Sequence, residues 1–288
     1  MQIFLANPWS DYELIDSGNR LKLERFGEII LIRPEQQAIW QPEQPLLVWK
    51  KQAHFFFDAS GAKDGRWIEL KKAPRLWHIA YPKLQLNFKL ELTRFKHIGL
   101  FPEQQVNWNF IYDSVKRMKS SQPKILNLFA YTGASSLAAK AAGAEVYHVD
   151  SIKQVVSWAN ENRQLSKLED IRWVVEDALS FAQKEVKRRK KYNGIIMDPP
   201  SFGLGKNAEK WKLEDKLNEL LQTAAALLDS KEHFFVINTY SAGLSALVME
   251  NCLRDYINTT NCESGELHLH SKSGKNIPLG HLLRFRKG

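Results

Sequence analysis

Beyond about residue 105 the sequence alternates between short apolar runs and longer amphipathic segments, and this alternation constrains the fold more than any other feature. The apolar runs predict buried strands, and the segments between them predict helices. The predicted strands are 125–129, 145–149, 171–175, 194–197 and 233–237, and the predicted helices are 134–142, 152–163, 178–189, 207–228 and 242–256. Strands joined through helices pair in parallel, with helices on both faces of the sheet. The pattern therefore predicts an α/β fold with a mostly parallel sheet.

The first 95 residues lack this alternation, and their pattern is typical of short strands. Strands are predicted at 12–15, 21–25 and 29–32, with turn residues between them and prolines after them. Aromatic residues are dense here; we interpret them as the core of a small β domain, with one or two rings stacking on bases as the alternative. We therefore predict two domains, a β-rich one over residues 1–95 and a larger α/β one over residues 96–288.

The bulk composition indicates which partners and compartment suit the chain. A formal net charge of +9 and a pI of about 9.4 favour a polyanionic partner such as nucleic acid, although a basic surface also serves solubility. Cys252 and Cys262 have neither disulfide-framework nor metal-ligand spacing, so we expect no metal and a reducing cytoplasm. The first residues do not resemble a signal peptide, and no apolar run approaches about 18 residues, so no membrane association is expected.

A loop with a single glycine follows the first predicted strand of the α/β region. In open α/β sheets, ligands bind at the carboxyl ends of the strands, and this loop occupies that place. Gly133 would let the backbone approach a ligand closely, and the helix behind it offers free N–H groups. The predicted ligand-binding residues of the loop are Phe129, Ala130, Tyr131, Thr132 and Gly133.

Acidic residues follow the next two predicted strands. Asp150 ends the second strand, where an acid accepts hydrogen bonds from ribose hydroxyls. Asp177 ends the third strand, where its carboxylate together with Ala178 can receive an adenine amino group. Either aspartate could instead cap the helix that follows it. A loop and two acids in this order are typical of sheets that hold S-adenosylmethionine (AdoMet), which is therefore the predicted cofactor.

The fourth predicted strand ends in an acid followed by two prolines. Pro199 and Pro200 lack N–H donors and have a fixed φ, so the carbonyl groups here face a ligand rather than a strand ladder. Asp198 and the Pro199 carbonyl can accept hydrogen bonds from an exocyclic amine and aim its lone pair at a methyl group; Asp198 is also predicted to contact the cofactor. Phe202 could stack on a flipped-out base. The alternative interpretation is a plain proline-rich turn.

At these residues the sequence resembles the AdoMet-dependent methyltransferases related to the bacterial large-subunit ribosomal RNA cytosine-C5 and guanine-N2 enzymes. The resemblance covers most of the chain, including a β module near the N-terminus. Its motifs lie at residues 127–133 (similar to N-x-F-x-Y-T-G, the most specific match), 96–104 (similar to K-x-G-x-F-x-x-Q) and 198–202 (similar to D-P-P-x-F). The resemblance implies a class I methyltransferase sheet, which is Rossmann-like.

The resemblance also extends the predicted cofactor site. It implies that Phe101 and Gln104 close over the cofactor and that Asn127 belongs to the cofactor loop. It places Ser151 and Asn162 in the region that binds the ribose.

One departure from the family concerns a catalytic nucleophile. The cytosine-C5 members carry a cysteine just after the fifth strand, where residues 238–241 here read NTYS. Cytosine C5 is poorly nucleophilic and needs transient attack by a thiolate on C6. We therefore predict direct methyl transfer to a base amine of ribosomal RNA, with residues 1–95 as a candidate RNA-binding module. The alternatives are an aminopropyltransferase-like enzyme acting on a small molecule and a non-catalytic RNA-binding protein.

Further segments are candidates for substrate contact. Residues 184–191 read KEVKRRKK and could contact phosphates or simply suit a helix C-terminus. Lysine pairs recur at 50–51 and 71–72. Residues 203–212 contain two glycines, three lysines and a tryptophan, and we predict that they form a mobile lid over the substrate.

Overall fold

The computed structural model describes residues 2–59, 65–204, 210–241, 243–259 and 261–288. The strands are β1 (Gln2–Ala6), β2 (Tyr12–Gly18), β3 (Leu21–Phe26), β4 (Ile29–Pro34), β5 (Phe55–Asp58), β6 (Arg66–Glu69), β7 (Leu76–Tyr81), β8 (Leu86–Glu91), β9 (Lys124–Leu128), β10 (Glu145–Asp150), β11 (Arg172–Val175), β12 (Gly194–Met197), β13 (Phe202–Leu204), β14 (Lys210–Lys212), β15 (His233–Thr239), β16 (Glu263–Leu269) and β17 (Ile277–Lys287). The helices are α1 (Leu46–Gln52), α2 (Gln105–Arg117), α3 (Ala134–Ala141), α4 (Lys153–Leu165), α5 (Ala178–Lys187), α6 (Leu213–Leu227) and α7 (Ala246–Arg254). Short 3-10 helices span Pro82–Leu84 and Pro102–Gln104.

The chain divides into two compact units. The larger unit comprises Met1–Phe4, Val106–Leu267 and Gly280–Gly288, and the smaller unit comprises Leu5–Gln105 and His268–Leu279. The C-terminal segment of the smaller unit is held by backbone pairing: the Lys272 N–H donates to the Leu14 carbonyl at 2.9 Å. Pairing over so long a sequence separation leaves no local signal. The assignment of functional domains to residues 1–95 and 96–288 stays a prediction.

An eight-stranded sheet has the strand order β1-β16-β17-β15-β12-β9-β10-β11. The pairs from β11 through β15 are parallel, and β17 runs antiparallel to β15. The predicted α/β fold with a mostly parallel sheet is confirmed. The strand order reverses at β9, which lies between β10 and β12. Leu128 of β9 is in register with Val149 of β10 and Met197 of β12, so the loops after these strands leave the sheet at one edge.

Side chains alternate between the two faces of this sheet, and helices cover both faces. Phe235 and Ile237 of β15 belong to one buried cluster with Leu217 of α6. Phe234, which points to the opposite face, packs edge-on against Phe110 of α2 with 6.2 Å between ring centroids. Full burial of such a side chain stabilises the fold by about 1.5–3 kcal/mol. The packed strands therefore give the loops at their carboxyl ends a firm support.

The smaller unit is β-rich, as predicted. Its five-stranded sheet has the order β2-β3-β4-β5-β6, and β7 pairs separately with β8. Trp49, Phe55 and Trp77 are buried, which supports the interpretation of the N-terminal aromatic residues as core.

A buried ionic network lies within the smaller unit. The Arg33 guanidinium donates to Glu24 Oε2 at 2.9 and 2.6 Å, and the Tyr12 hydroxyl donates to Glu24 Oε1 at 3.0 Å. Burial opposes ionisation of Glu24, but the positive charges of Arg33 and Lys22 outweigh it and lower the pKa of the carboxyl. Loss of Arg33 or Glu24 alone would leave the other charge buried without its main counter-charge, which is strongly destabilising.

The element boundaries differ from the predicted ones around the lid. Within the predicted helix 207–228, α6 begins only at Leu213, because Lys210–Lys212 pairs as β14 with Phe202–Leu204. Residues 205–209, the centre of the predicted lid, lie outside the described residues. The predicted helix 242–256 is shorter, as α7 spans Ala246–Arg254. Within the described part of the chain, every helix is too short or too polar to cross a bilayer.

Candidate cofactor and substrate site

The loop after β9 has an unusual backbone. Phe129, Tyr131 and Gly133 have φ values of 57°, 49° and 90°, all in the left-handed region. This conformation costs roughly 1–2 kcal/mol for a residue with a side chain, and it persists only where the surroundings enforce it. At Gly133 a Cβ atom would lie 3.0 Å from the Ala159 Cβ, so a larger residue would meet both strain and crowding. Such strained loops cluster at ligand clamps.

Hydrogen bonds from two neighbouring elements hold this loop. The Ala130 N–H donates to the Val149 carbonyl at 3.0 Å. The Asn162 amide of α4, which is fully buried, donates to the Thr132 carbonyl at 2.9 Å. Asn162 therefore binds the backbone of the loop. This contact supports a role in holding the loop in place for the predicted cofactor.

Asp150 lies at the centre of these contacts. Its Oδ2 accepts from the Tyr131 N–H and its Oδ1 accepts from the Ile152 N–H, both at 2.9 Å. Burial raises the pKa of this carboxyl, and the backbone donors oppose that effect only in part. An ionised carboxylate offers about four acceptor sites, one more than the three backbone donors of Tyr131, Ile152 and Ser151 use. The exposed Ser151 follows it, so the edge of the sheet here can accept further hydroxyl donors.

Asp177 caps a helix in the structure. Its Oδ1 accepts from the Ser180 N–H at 2.8 Å at the start of α5. The alternative interpretation as an N-cap is therefore what the geometry shows. A contact of Asp177 and the buried Ala178 with an adenine amino group stays a prediction.

Asn127 belongs to a buried polar chain beneath the loop. Its amide donates to Ser136 Oγ at 2.9 Å, and Ser136 Oγ lies 3.0 Å from His148 Nδ1. Burial lowers the pKa of His148 to about 3, and a hydrogen bond with the Tyr131 backbone opposes this only in part. His148 is therefore neutral at physiological pH and supports the loop as an uncharged group.

His148 should make folding stability pH-dependent. An unfolded histidine titrates near 6.5, whereas the folded one titrates near 3. Its contribution is thus fully present above about pH 6.5 and is lost progressively as the pH falls towards 3. Between pH 7 and pH 5 this single group should cost about 2 kcal/mol of the free energy of unfolding.

Urea unfolding at both pH values would measure this cost. His148→Asn places an amide near the position of Nδ1, where it can keep a hydrogen bond to Ser136. Because asparagine does not titrate, the variant's loss of unfolding free energy between pH 7 and pH 5 should be smaller by about 2 kcal/mol. Equal losses in the wild type and the variant would show that His148 is not held neutral.

The loop after β12 lies at the same edge of the sheet. Asp198 is partly buried and Pro199 is buried. Phe202 begins β13 and leaves 70% of its surface exposed. The exposed Phe202 ring therefore provides an apolar surface in the same loop as two hydrogen-bond acceptors, the Asp198 carboxylate and the Pro199 carbonyl.

Trp211 also contacts this loop, although no role was predicted for its side chain. Its indole N–H donates to the Pro200 carbonyl at 2.6 Å. Its ring lies 5.4 Å from the ring of Phe129. The only sequence signal was a tryptophan in the segment predicted to be a lid.

The loop after β15 has no thiol. Ser241 Oγ donates to Glu214 Oε1 at 2.5 Å, and Thr239 is buried. Cys252 lies on α7, and Cys262 lies before β16. Burial raises the pKa of the Cys262 thiol to about 12, which leaves it almost wholly protonated and a poor nucleophile.

Phe101 and Gln104 lie in the smaller unit. The Gln104 N–H donates to the Phe101 carbonyl at 3.1 Å across the short helix Pro102–Gln104. Their closure over a cofactor stays a prediction.

The residues at the edge of the large sheet fit a nucleoside-containing ligand. The Asp150 carboxylate suits ribose hydroxyls, since it can accept from donors beyond the backbone. Gly133 leaves the backbone bare beside the start of α3, where N–H groups lack partners within the helix.

Comparison with known proteins gives similarities across the chain. Residues 62–255 match a family model described as S-adenosylmethionine-dependent methyltransferase. A crystal structure of an S-adenosylmethionine-dependent methyltransferase from Agrobacterium tumefaciens is 37% identical, covers 100% of this chain and 94% of its own, and superposes with a TM-score of 0.92. A protein described as a methyltransferase in complex with S-adenosylhomocysteine is 16% identical, with a TM-score of 0.72 over 95% of this chain and 75% of its own. It shares the fold.

A curated relative extends the comparison to RNA. Ribosomal RNA large subunit methyltransferase K/L of Shewanella frigidimarina is 32% identical over 145 residues, which are 49% of this chain and 19% of that protein. The chain thus spans about a fifth of the length of this relative.

Proposed function

The chain belongs to the S-adenosylmethionine-dependent methyltransferase family, and we propose that it methylates a base amine of large-subunit ribosomal RNA by direct transfer. Family membership makes it an enzyme that uses AdoMet. When bound, AdoMet supplies an electrophilic methyl group. The observation that carries the proposal is the convergence at one sheet edge of the Asp150-bound loop with Asp198, the Pro199 carbonyl and the exposed Phe202.

The residues around the first three parallel strands are proposed to hold the cofactor. Asp150, with Ser151 beside it, accepts hydrogen bonds from the ribose hydroxyls. The backbone of the loop after β9 faces the ligand, and Asn127 and Asn162 support it from within the protein. Asp177 and Ala178 would receive the adenine amino group, and Phe101 and Gln104 would close over the cofactor.

The residues after β12 are proposed to hold the base. Asp198 and the Pro199 carbonyl accept the two hydrogens of an amine, which draws its nitrogen towards tetrahedral geometry and directs the lone pair. Phe202 offers a stacking surface, worth ~1–3 kcal/mol per base. Pro200 restricts the backbone between them. Holding a reactant in attack geometry is the main source of rate in such a reaction.

Relatives and surface charge support RNA as the substrate. The similar proteins named above include a ribosomal RNA methyltransferase, and the net charge is +9. In the smaller unit, Lys71 Nζ donates to the Gln52 carbonyl at the end of α1, and Lys50 lies 5.1 Å from the Phe56 ring centroid. Neither lysine forms an ion pair with another described residue, so both charges are open to phosphates.

The basic run at the end of α5 differs from this lysine group. Lys184 pairs with Glu176, and Arg188 pairs with Glu185 at 2.8 Å. Part of the charge of this basic run is neutralised by these two ion pairs. The lysines of the smaller unit are therefore the better candidates for RNA contact. This supports residues 1–95 as an RNA-binding module, and ribosomal RNA as the target suits a cytoplasmic enzyme.

Labelled-methyl transfer tests the proposed function. The protein is incubated with labelled AdoMet and large-subunit ribosomal RNA that lacks its native modifications, and the RNA is digested for nucleoside mass spectrometry. The expected product is a base methylated on an exocyclic nitrogen. AdoMet binding without transfer would favour a non-catalytic RNA-binding protein. In a parallel assay, transfer of the aminopropyl group of decarboxylated AdoMet to a polyamine would favour an aminopropyltransferase.

Neither cysteine should be needed for the reaction. A Cys252→Ser/Cys262→Ser double variant is expected to keep its methylation rate within a few fold, because the loop after β15 lacks a thiol and Cys262 is held protonated. Single-turnover assays on the same RNA would check this. A large loss of rate in a folded variant, or a covalent adduct with 5-fluorocytosine RNA, would indicate thiolate catalysis instead.

A further inference from the structure

We propose that Trp211 is a positioning residue that couples the binding of cofactor and RNA base. The inference rests on the proposed function, because it requires AdoMet at the loop after β9 and a base at the loop after β12. It concerns a side chain that joins these two loops.

Trp211 contacts both loops through different parts of its indole. The ring nitrogen donates to the Pro200 carbonyl at 2.6 Å, so it fixes the backbone directly after the proposed amine acceptors. The centroids of the Trp211 and Phe129 rings lie 5.4 Å apart, and the rings are tilted at an interplanar angle of 51°. Phe129 is the first residue of the strained loop, with a φ of 57°. One partly buried side chain thus contacts the first residue of the cofactor loop and the second proline of the substrate loop.

The residues that follow Trp211 tie the same segment to the rest of the edge. The Leu213 N–H donates to the Ser201 carbonyl at 3.0 Å. Glu214, in the first turn of α6, accepts from Ser241 Oγ in the loop after β15. Residues 211–214 therefore contact the loops after β9, β12 and β15. A segment with three attachments can move little without changing all three loops.

These contacts imply a definite thermodynamic effect. A ligand that fixes the cofactor loop also fixes the Phe129 ring, and this restricts Trp211 and the Pro200 carbonyl that it holds. The base then finds Asp198 and the Pro199 carbonyl already ordered and binds more tightly. Coupling of this kind is reciprocal, so RNA must raise the affinity for cofactor by the same factor.

Binding measurements without turnover test the inference. The dissociation constant for unmodified large-subunit ribosomal RNA is measured with and without saturating S-adenosylhomocysteine. The wild type is expected to bind RNA at least ~5-fold more tightly when S-adenosylhomocysteine is bound, which is within the usual range for coupled sites. Trp211→Phe keeps a ring against Phe129 but loses the donor to Pro200, and it should lose most of that factor while its affinity for S-adenosylhomocysteine stays within about twofold.

Tyr256→Phe is the control. The Tyr256 hydroxyl in the larger unit donates to Asn218 Oδ1 at 3.1 Å, so the variant loses a hydrogen bond from an aromatic donor outside these loops and outside residues 1–95. It should keep the wild-type coupling. Two results would overturn this inference without touching the proposed function. One is wild-type coupling in Trp211→Phe, and the other is wild-type RNA affinity that does not change when S-adenosylhomocysteine is added. A wild type that binds no RNA would overturn the proposed function as well.

Discussion

Asp198→Ala is expected to lower the rate of methyl transfer at least ~100-fold while AdoMet still binds. A base amine is a weak nucleophile because its lone pair is delocalised into the ring. Asp198 and the Pro199 carbonyl, at the carboxyl end of β12, would orient that lone pair, and orientation can lower a barrier by on the order of 7–11 kcal/mol. Loss of an interaction made mainly in the transition state lowers kcat and kcat/KM together. Single-turnover kinetics with saturating RNA would measure the effect.

Two further variants separate chemistry from binding. Asp177→Ala removes a carboxylate from the end of another strand together with its cap on Ser180. It should cost ~1 kcal/mol of stability, weaken AdoMet binding through the proposed contact with adenine, and leave the transfer step at saturating AdoMet unaffected. Phe202→Ala removes an exposed stacking surface and should mainly raise the KM for RNA.

Near-normal turnover of Asp198→Ala on a verified substrate would contradict the amine-orienting mechanism. The modified atom would then have to be one that needs no help from an acceptor at the end of β12. An equal loss of AdoMet affinity and turnover would instead place Asp198 chiefly in the cofactor site.

The parts of the fold that repeat locally could be predicted from sequence. The strand Gly194–Met197 is a continuous apolar run that ends at Asp198, and the strand Lys124–Leu128 is mostly apolar and ends at a loop residue. Parallel register then brings the ends of neighbouring strands to one edge, so residues 129–133, Asp150 and Asp198 could be grouped from the sequence alone. The AdoMet cofactor followed from that order.

The contacts between side chains could not be predicted in the same way. Asn127 and Asn162 match family motifs, yet their amides donate to Ser136 and to the Thr132 carbonyl inside the protein. Hydrogen-bond partners depend on packing between elements, which periodicity does not report. The same limit hid the contact of Trp211 with Phe129, because the two residues are far apart in sequence.

Asp150→Ala is expected to weaken AdoMet binding by ~10–150-fold. Hydrogen bonds to a charged acceptor contribute about 1.5–3 kcal/mol, and each 1.4 kcal/mol is about tenfold in affinity. The structure adds a second cause, since the carboxylate also holds the Tyr131 N–H at 2.9 Å. Without it, a loop with two non-glycine residues in the left-handed region loses one of its restraints. Calorimetric titration of AdoMet into both proteins would measure the change.

Asp150→Asn distinguishes the two causes. An asparagine keeps one oxygen that can accept the Tyr131 N–H, but it has no charge and a second group that donates instead of accepting. If the ribose hydroxyls need the carboxylate, the asparagine variant should bind AdoMet nearly as weakly as the alanine variant, although its oxygen still restrains the loop through the Tyr131 N–H. If the carboxylate only restrains the loop, asparagine should restore most of the affinity. Unchanged affinity in both variants would mean that Asp150 serves only the backbone of Tyr131 and Ile152, and the ribose would then have to bind elsewhere along the edge.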